Sequence, residues 1–187
     1  SFPKMLSGLL RRLSISSITR DMREGEVQDG KYHFISKNEF ETALKNNEML
    51  EYNVYLGNYY GTPKSPVDKA IYEDADIVLE VDINGARKVK SVYPDALSIF
   101  IMPPSFEVLK KRLSGRGTET EEQINGRLKI AVEEISHAQE YSYIVVNDEL
   151  DTAVEDVISI IVSGRSKKER KINIINEVLK DAESCNR

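Results

Sequence analysis

Three short apolar runs punctuate the chain: Ile77-Val78-Leu79-Glu80-Val81-Asp82, Leu97-Ser98-Ile99-Phe100-Ile101-Met102 and Tyr143-Ile144-Val145-Val146-Asn147. Each is rich in β-branched residues and closed by polar residues or proline, which predicts interior strands of a mostly parallel sheet. Helical patterns lie between and after them. Ser105 is placed to cap a helix from Phe106 to about Leu113, with Phe106, Leu109 and Leu113 on one face. Thr120 and Gln123 form a capping box ahead of Ile124, Leu128, Ala131 and Ile135, whose spacing of four, three and four traces an apolar helical stripe. Strands alternating with helices predict α/β crossover units.

The N-terminal half reads differently. Ser36 and Glu39 make a second capping box, opening a helix that carries Phe40, Ala43 and Leu44. The segment from Glu51 to Thr62 is rich in tyrosine and glycine, which suits short strands and turns lining a site better than core, so it reads as an insertion on the α/β body. Near the C-terminus the pattern predicts a helix from about Asp151 to Ser163, with Val154, Val157, Ile158 and Ile161 inward and Gly164 as its stop. A further helix, from Ser166 to Glu183, is apolar only at positions such as Ile172, Ile175 and Leu179.

Composition narrows the function classes. A chain of 187 residues with 40 % hydrophobic and 30 % charged residues buries one substantial core, and a single domain spanning 1–187 is expected. A net charge of -5 gives no general attraction to nucleic acid or an anionic membrane, so basic residues must act locally on a small anion. The lone cysteine, Cys185, makes neither a disulfide within the chain nor a thiolate metal cluster, which suits a reducing cytoplasm. No apolar run approaches a membrane span. His33 and His137 are too few and too far apart for a metal site and read as structural.

The chemistry concentrates early. Ser14-Ile15-Ser16-Ser17-Ile18-Thr19-Arg20, then Arg23-Glu24-Gly25-Glu26 and Gly30-Lys31-Tyr32-His33-Phe34, bring hydroxyls, two arginines and a tyrosine together. Those groups hold a phosphate monoester, since arginine offers paired charged donors and never deprotonates. On composition alone the same stretch also reads as a solvated loop.

These blocks resemble the GMP-phosphate site of guanylate kinases, where S-x-S-x-T-T-R, a further Arg, a G-E pair and Y-x-F recur in that order; Ile18 replaces the first of the paired threonines. The resemblance continues through Glu51, Gly57-Asn58-Tyr59-Tyr60-Gly61-Thr62, Glu80-Val81-Asp82 with Gly85, Pro103-Pro104-Ser105, Gly115-Arg116-Gly117-Thr118-Glu119, Arg127 and Val146-Asn147-Asp148, over about residues 14 to 170. It implies a P-loop-kinase-like parallel-sheet core flanked by helices (1–14, 67–114 and 129–187), a GMP-binding insertion at about 15–66 and a lid at about 115–128. The implied reaction is transfer of the terminal phosphoryl group of ATP to GMP, with magnesium arriving on ATP and no protein-held metal.

The same resemblance implies roles. Ser16, Arg20, Arg23, Tyr32 and Tyr60 would hold the GMP phosphate, and Glu51, Thr62 and Glu80 would recognise guanine. Asp82 would act near the transferring phosphate or the magnesium shell, Arg116 and Arg127 would close over the ATP phosphates with Arg20 opposite, and Arg112 and Asn147 would serve the ATP side. Guanine's N1 and N2 donors match carboxylates and its O6 matches a hydroxyl, whereas adenine would leave the same groups unpaired.

One part of that pattern is absent. No G-x-x-x-x-G-K-[ST] run, whose backbone N–H groups and lysine cradle ATP phosphates, occurs anywhere in the sequence. Ser1 to Gly8 reads as the end of a poor first strand followed by the first two residues of such a loop, and Leu9-Leu10-Arg11-Arg12 as the far side of the helix after it, so a stretch carrying the loop and most of that helix is expected to be missing between about Gly8 and Leu9. The alternative is a non-catalytic guanylate-kinase-like module that binds a phosphopeptide or protein partner. Retention of Arg116, Arg127, Glu51 and Glu80 favours the enzyme, and the paired carboxylates speak against a kinase for AMP or a pyrimidine nucleotide. Neither a nucleic-acid nor a membrane partner is expected, and the sequence leaves oligomeric state open.

Overall fold

The structure is a computed structural model and describes residues 13–115 and 120–185. It divides into two compact units, Ser1–Ala96 and Leu97–Arg187.

The first unit is built on a four-stranded sheet of order β2-β1-β4-β3, with β1 at Ser16–Ile18, β2 at Tyr32–Phe34, β3 at Met49–Tyr55 and β4 at Asn58–Pro63. β1 runs parallel to β2 and antiparallel to β4, and β3 and β4 form a hairpin. Leu56 and Gly57, with φ of 48° and 75°, turn that hairpin; two successive left-handed residues make the turn whose twist matches the strands. Helix α1, Lys37–Lys45, begins at the expected capping box: the Ser36 hydroxyl accepts from Glu39 N, and the Glu39 carboxylate accepts from Ser36 N. Phe40, fully buried, carries α1 onto the sheet by stacking on Tyr59 with ring centroids 4.9 Å apart.

Helices α2, Lys64–Tyr72, and α3, Ile83–Val92, complete this unit. Its core is Leu50, Val67 and Val89, with Ile77, Leu79, Tyr93 and Ala96 packed against them. The run 77–82 was expected to be a full strand. Among the described residues it makes a single parallel bridge, Val78 to Leu13, with Ser14 N donating to the Val78 carbonyl at 2.9 Å. The residues before Leu13 lie outside the described set. Ile77 and Leu79 still turn the same way into the core, as the two-residue period demands.

The second unit pairs β5, Ile99–Met102, in parallel with β6, Tyr143–Val146, as the apolar runs predict. Between them run α4, Phe106–Ser114, capped by Ser105, and α5, Glu121–Ser136, opened by the Thr120–Gln123 box. On α5 Leu128 is buried and Ile124, Ala131 and Ile135 are half-buried, so the stripe faces inward. Phe106, expected on the apolar face of α4, is 51 % exposed.

Helix α6, Leu150–Arg165, buries Ala153, Val154 and Val157. Gly164 does not stop it. It is a buried residue inside the last turn, where a Cβ would sit 2.3 Å from Leu97 Cδ1, so its smallness serves packing rather than a left-handed cap. The chain continues into α7, Lys168–Cys185, none of whose residues is buried. Among the described residues no helix is long and apolar enough to cross a membrane.

Candidate active site

The strand register of the first unit decides which side chains share a face. Residues directly opposite on neighbouring strands point the same way, and along one strand every second residue does so. Ser16 opposes Tyr32, Ile18 opposes Phe34 and Tyr60, Asn53 opposes Tyr60, and Glu51 opposes Thr62. Ser16, Ile18, Tyr32, Phe34, Tyr60, Thr62, Glu51 and Asn53 therefore lie on one face, on which Ile18 is fully buried. Ser17, Tyr52, Tyr59 and Gly61 lie on the other, which Phe40 covers.

Gly61 makes that covering possible. A Cβ there would sit 2.8 Å from both the Glu51 carbonyl oxygen and Phe40 Cζ, so only glycine lets the hairpin and the ring approach this closely.

At one end of the Ser16 face is a carboxylate pair. Glu51 is only 8 % exposed, and its Oε1 accepts from the Thr62 hydroxyl at 2.6 Å. Burial pushes the Glu51 carboxyl above its ordinary pKa; the Asp82 charge adds to this, and the Thr62 hydrogen bond opposes it. Asp82 caps α3: its Oδ1 accepts from Gly85 N at 2.8 Å and its Oδ2 from Asn53 Nδ2. The positive end of α3 thus faces both carboxylates and offsets part of their repulsion. Gly85 lies so close that a Cβ would be 2.9 Å from Glu51 Oε2. Glu80, in contrast, is exposed.

At the other end is Arg20. Its Nη1 and Nη2 donate to Glu26 Oε2 and Oε1, both at 2.6 Å, and Nη1 also donates to the Asp21 carbonyl at 2.8 Å. The guanidinium carbon lies 5.6 Å from the Tyr32 ring centroid and 5.5 Å from that of Phe34, positions that favour a cation. Hydrogen bonding to Arg20 pulls the Glu26 carboxyl down to about 2, helped by the Arg23 backbone N–H at 2.8 Å. Glu26 reaches back because the chain turns at Arg23–Glu26, where Glu26 N donates to the Arg23 carbonyl and Gly25 takes φ of 84°. Arg23 itself is exposed.

The second unit holds the remaining candidates. Arg112 Nη1 and Nη2 donate to the carbonyls of Asn147 and Asp148 at 2.6 and 2.9 Å, tying α4 to the carboxyl end of β6. Arg127 lies half-buried on α5. Arg116 lies outside the described residues, as do Gly8 and Leu9, between which a stretch was expected to be missing. Among those residues, no group of three or more His, Cys, Asp or Glu is arranged to hold a metal ion.

Two contributors had no assigned role in the sequence. Glu26 belonged to the G-E pair, but only the turn shows that it reaches Arg20. Asn53 was signalled by the strand period, two residues beyond Glu51, once that segment is read as β3.

A family model described as guanylate kinase matches residues 7–164. The guanylate kinase of Clostridium tetani is 48 % identical over 176 residues, covering 90 % of this chain and 85 % of that protein. That of Carboxydothermus hydrogenoformans is 45 % identical over 157 residues, covering 84 % and 77 %. Among solved structures, the guanylate kinase from Anaplasma phagocytophilum superposes with a TM-score of 0.75 at 30 % identity, covering 90 % of this chain and 85 % of its own. The chain belongs to the guanylate kinase family, enzymes that transfer the terminal phosphoryl group of ATP to GMP.

Proposed function

We propose that the sheet face carrying Ser16, Tyr32, Tyr60, Thr62 and Glu51 is the GMP site, with the base held at Glu51 and Asp82 and the phosphate at Arg20. The observation that carries this reading is the register, which places Ser16, Tyr32, Tyr60, Thr62 and Glu51 on one face although they span 47 positions of sequence. The Glu51 carboxylate accepts from guanine N1–H and N2–H. Thr62 has a single hydroxyl hydrogen, engaged by Glu51, so its first role is to aim that carboxylate; it serves O6 only by giving up that bond. Adenine would set its N1 lone pair against the Glu51 charge, a repulsion that selects against AMP.

Asp82, rather than Glu80, is the second carboxylate of the base pocket in this reading, because Asp82 neighbours Glu51 closely enough to raise its pKa while Glu80 is exposed. Arg20, Arg23, Ser16, Tyr32 and Tyr60 take the phosphate. Arg20 arrives with its plane already set by Glu26 and two rings, so little ordering entropy is lost when a phosphate oxygen binds its remaining N–H groups.

On the donor side, Arg116 and Arg127 meet charge on the ATP phosphates, and Arg112 with Asn147 shapes the carboxyl end of β6. Magnesium is carried in by ATP, as a cation bound mainly by phosphates and water. Once bound, it neutralises charge on the phosphate oxygens. Calorimetry with GMP and AMP on the chain and on Asp82→Asn tests the base pocket. Loss of GMP binding in the variant supports the assignment, and unchanged affinity removes Asp82 from it. ADP release with GMP, with and without EDTA, tests the magnesium requirement.

A further inference from the structure

The family model ends at residue 164, four residues before α7 begins. This 18-residue helix buries nothing, yet Ile172, Ile174, Ile175, Val178 and Leu179 lie within one arc of its surface and are 46 % to 62 % exposed. A lone helix of this length is marginal in water, because helices in proteins draw most of their stability from packing an apolar face. The face calls for a partner.

We propose that this face pairs antiparallel with the same helix of a second copy of the chain. Charge decides both partner and direction. From Lys168 to Ile175 the helix carries Lys168, Arg170 and Lys171 against Glu169; from Asn176 to Cys185 it carries Glu177, Asp181 and Glu183 against Lys180. The halves have equal and opposite net charge. Antiparallel pairing lays each basic half along an acidic one, whereas parallel pairing sets like on like. A helix of zero net charge also has no electrostatic attraction to an anionic bilayer, which disfavours the membrane as the occupant of the same face. Ile172, Ile175 and Leu179, at spacings of three and four, supply the seam.

Sedimentation velocity on the whole chain, over a range of protein and salt concentrations, tests this. The expected result is a concentration-dependent dimer that weakens as salt rises; a dimer that strengthens with salt would overturn the antiparallel arrangement. Ile175→Glu with Leu179→Glu should leave a monomer whose GMP affinity is unchanged, since the GMP residues lie in the first unit. The triple change Lys168→Glu, Arg170→Glu, Lys171→Glu makes both halves acidic, and Glu177→Lys, Asp181→Lys, Glu183→Lys makes both basic. Each variant alone should be monomeric, and the two mixed should dimerise. A wild-type chain that is monomeric at every concentration, or that co-sediments with anionic phosphatidylserine vesicles through this face, overturns the proposal.

Discussion

Arg20 and Glu26 face each other fork to fork, two nitrogens on two oxygens at 2.6 Å, with the guanidinium set against the rings of Tyr32 and Phe34. The cation is oriented before any phosphate arrives. Lysine reproduces the charge but not the planar fork, so it cannot hold Glu26 through two bonds and still direct donors at a phosphate. Arg20→Lys should weaken GMP binding by about ten- to a hundredfold, on the scale of one or two lost charge-assisted bonds. Calorimetry reads this directly, and unchanged affinity would remove Arg20 from the phosphate site.

The pH dependence of stability separates Glu26 from Glu51. Glu26 has a folded pKa of about 2 against an ordinary 4.5, so its contribution is present above 4.5 and fades as pH falls towards 2. Glu51 has the opposite sign. Its folded pKa is raised, so the folded state binds its proton more tightly than the unfolded chain does, and stability falls as pH climbs through that raised value. Glu51→Gln should therefore raise the thermal midpoint at neutral pH, and the gain should vanish below about pH 4.5, where the wild-type carboxyl is protonated in both states. The same variant should lose GMP binding. A lower midpoint at neutral pH would mean that the Glu51 charge is stabilised in the free protein.

At pH values near the raised Glu51 pKa, GMP binding should also release protons. Guanine's N–H donors favour the ionised Glu51 carboxylate, whereas burial favours the protonated form in the free protein. Affinity is expected to weaken as pH falls through the raised Glu51 value. Calorimetry in buffers of different ionisation enthalpy would count the protons, and a heat independent of buffer would contradict the coupling.

Gly61→Ala tests the packing behind the site. Its Cβ would press on the Glu51 carbonyl and on the buried Phe40 ring, neither of which is a flexible chain end. A loss of about 1–3 kcal/mol in denaturant unfolding is expected, the usual cost of overpacking. Little change would show that the hairpin can shift away from α1.

The junction between Gly8 and Leu9 gives a test of the ATP side. Inserting a G-x-x-x-x-G-K-[ST] loop there with its following helix should raise turnover about a hundredfold or more, on the scale of one set of charge-stabilising donors, and leave GMP affinity unchanged. Turnover indifferent to the insertion would mean that the donor phosphates are held by other groups.

The sequence alone was enough to mark the parallel strands at 99–102 and 143–146, three side-chain caps and the inward stripe of α5, because periodicity and capping act over a few residues. It also carried the family resemblance, since the spacing of the motif blocks is itself a linear property. Tertiary structure decided what depends on approach between distant segments. Gly164 reads as a helix stop until Leu97 is seen pressed against it. Glu80 and Asp82 are two positions apart and equivalent on paper, yet only Asp82 caps α3 beside Glu51, 31 positions earlier in the chain. Glu26 acquires a role only when a turn at Gly25 folds it back onto Arg20. A carboxylate's partner and pKa follow from burial and from charges across space, and neither is written in the order of residues.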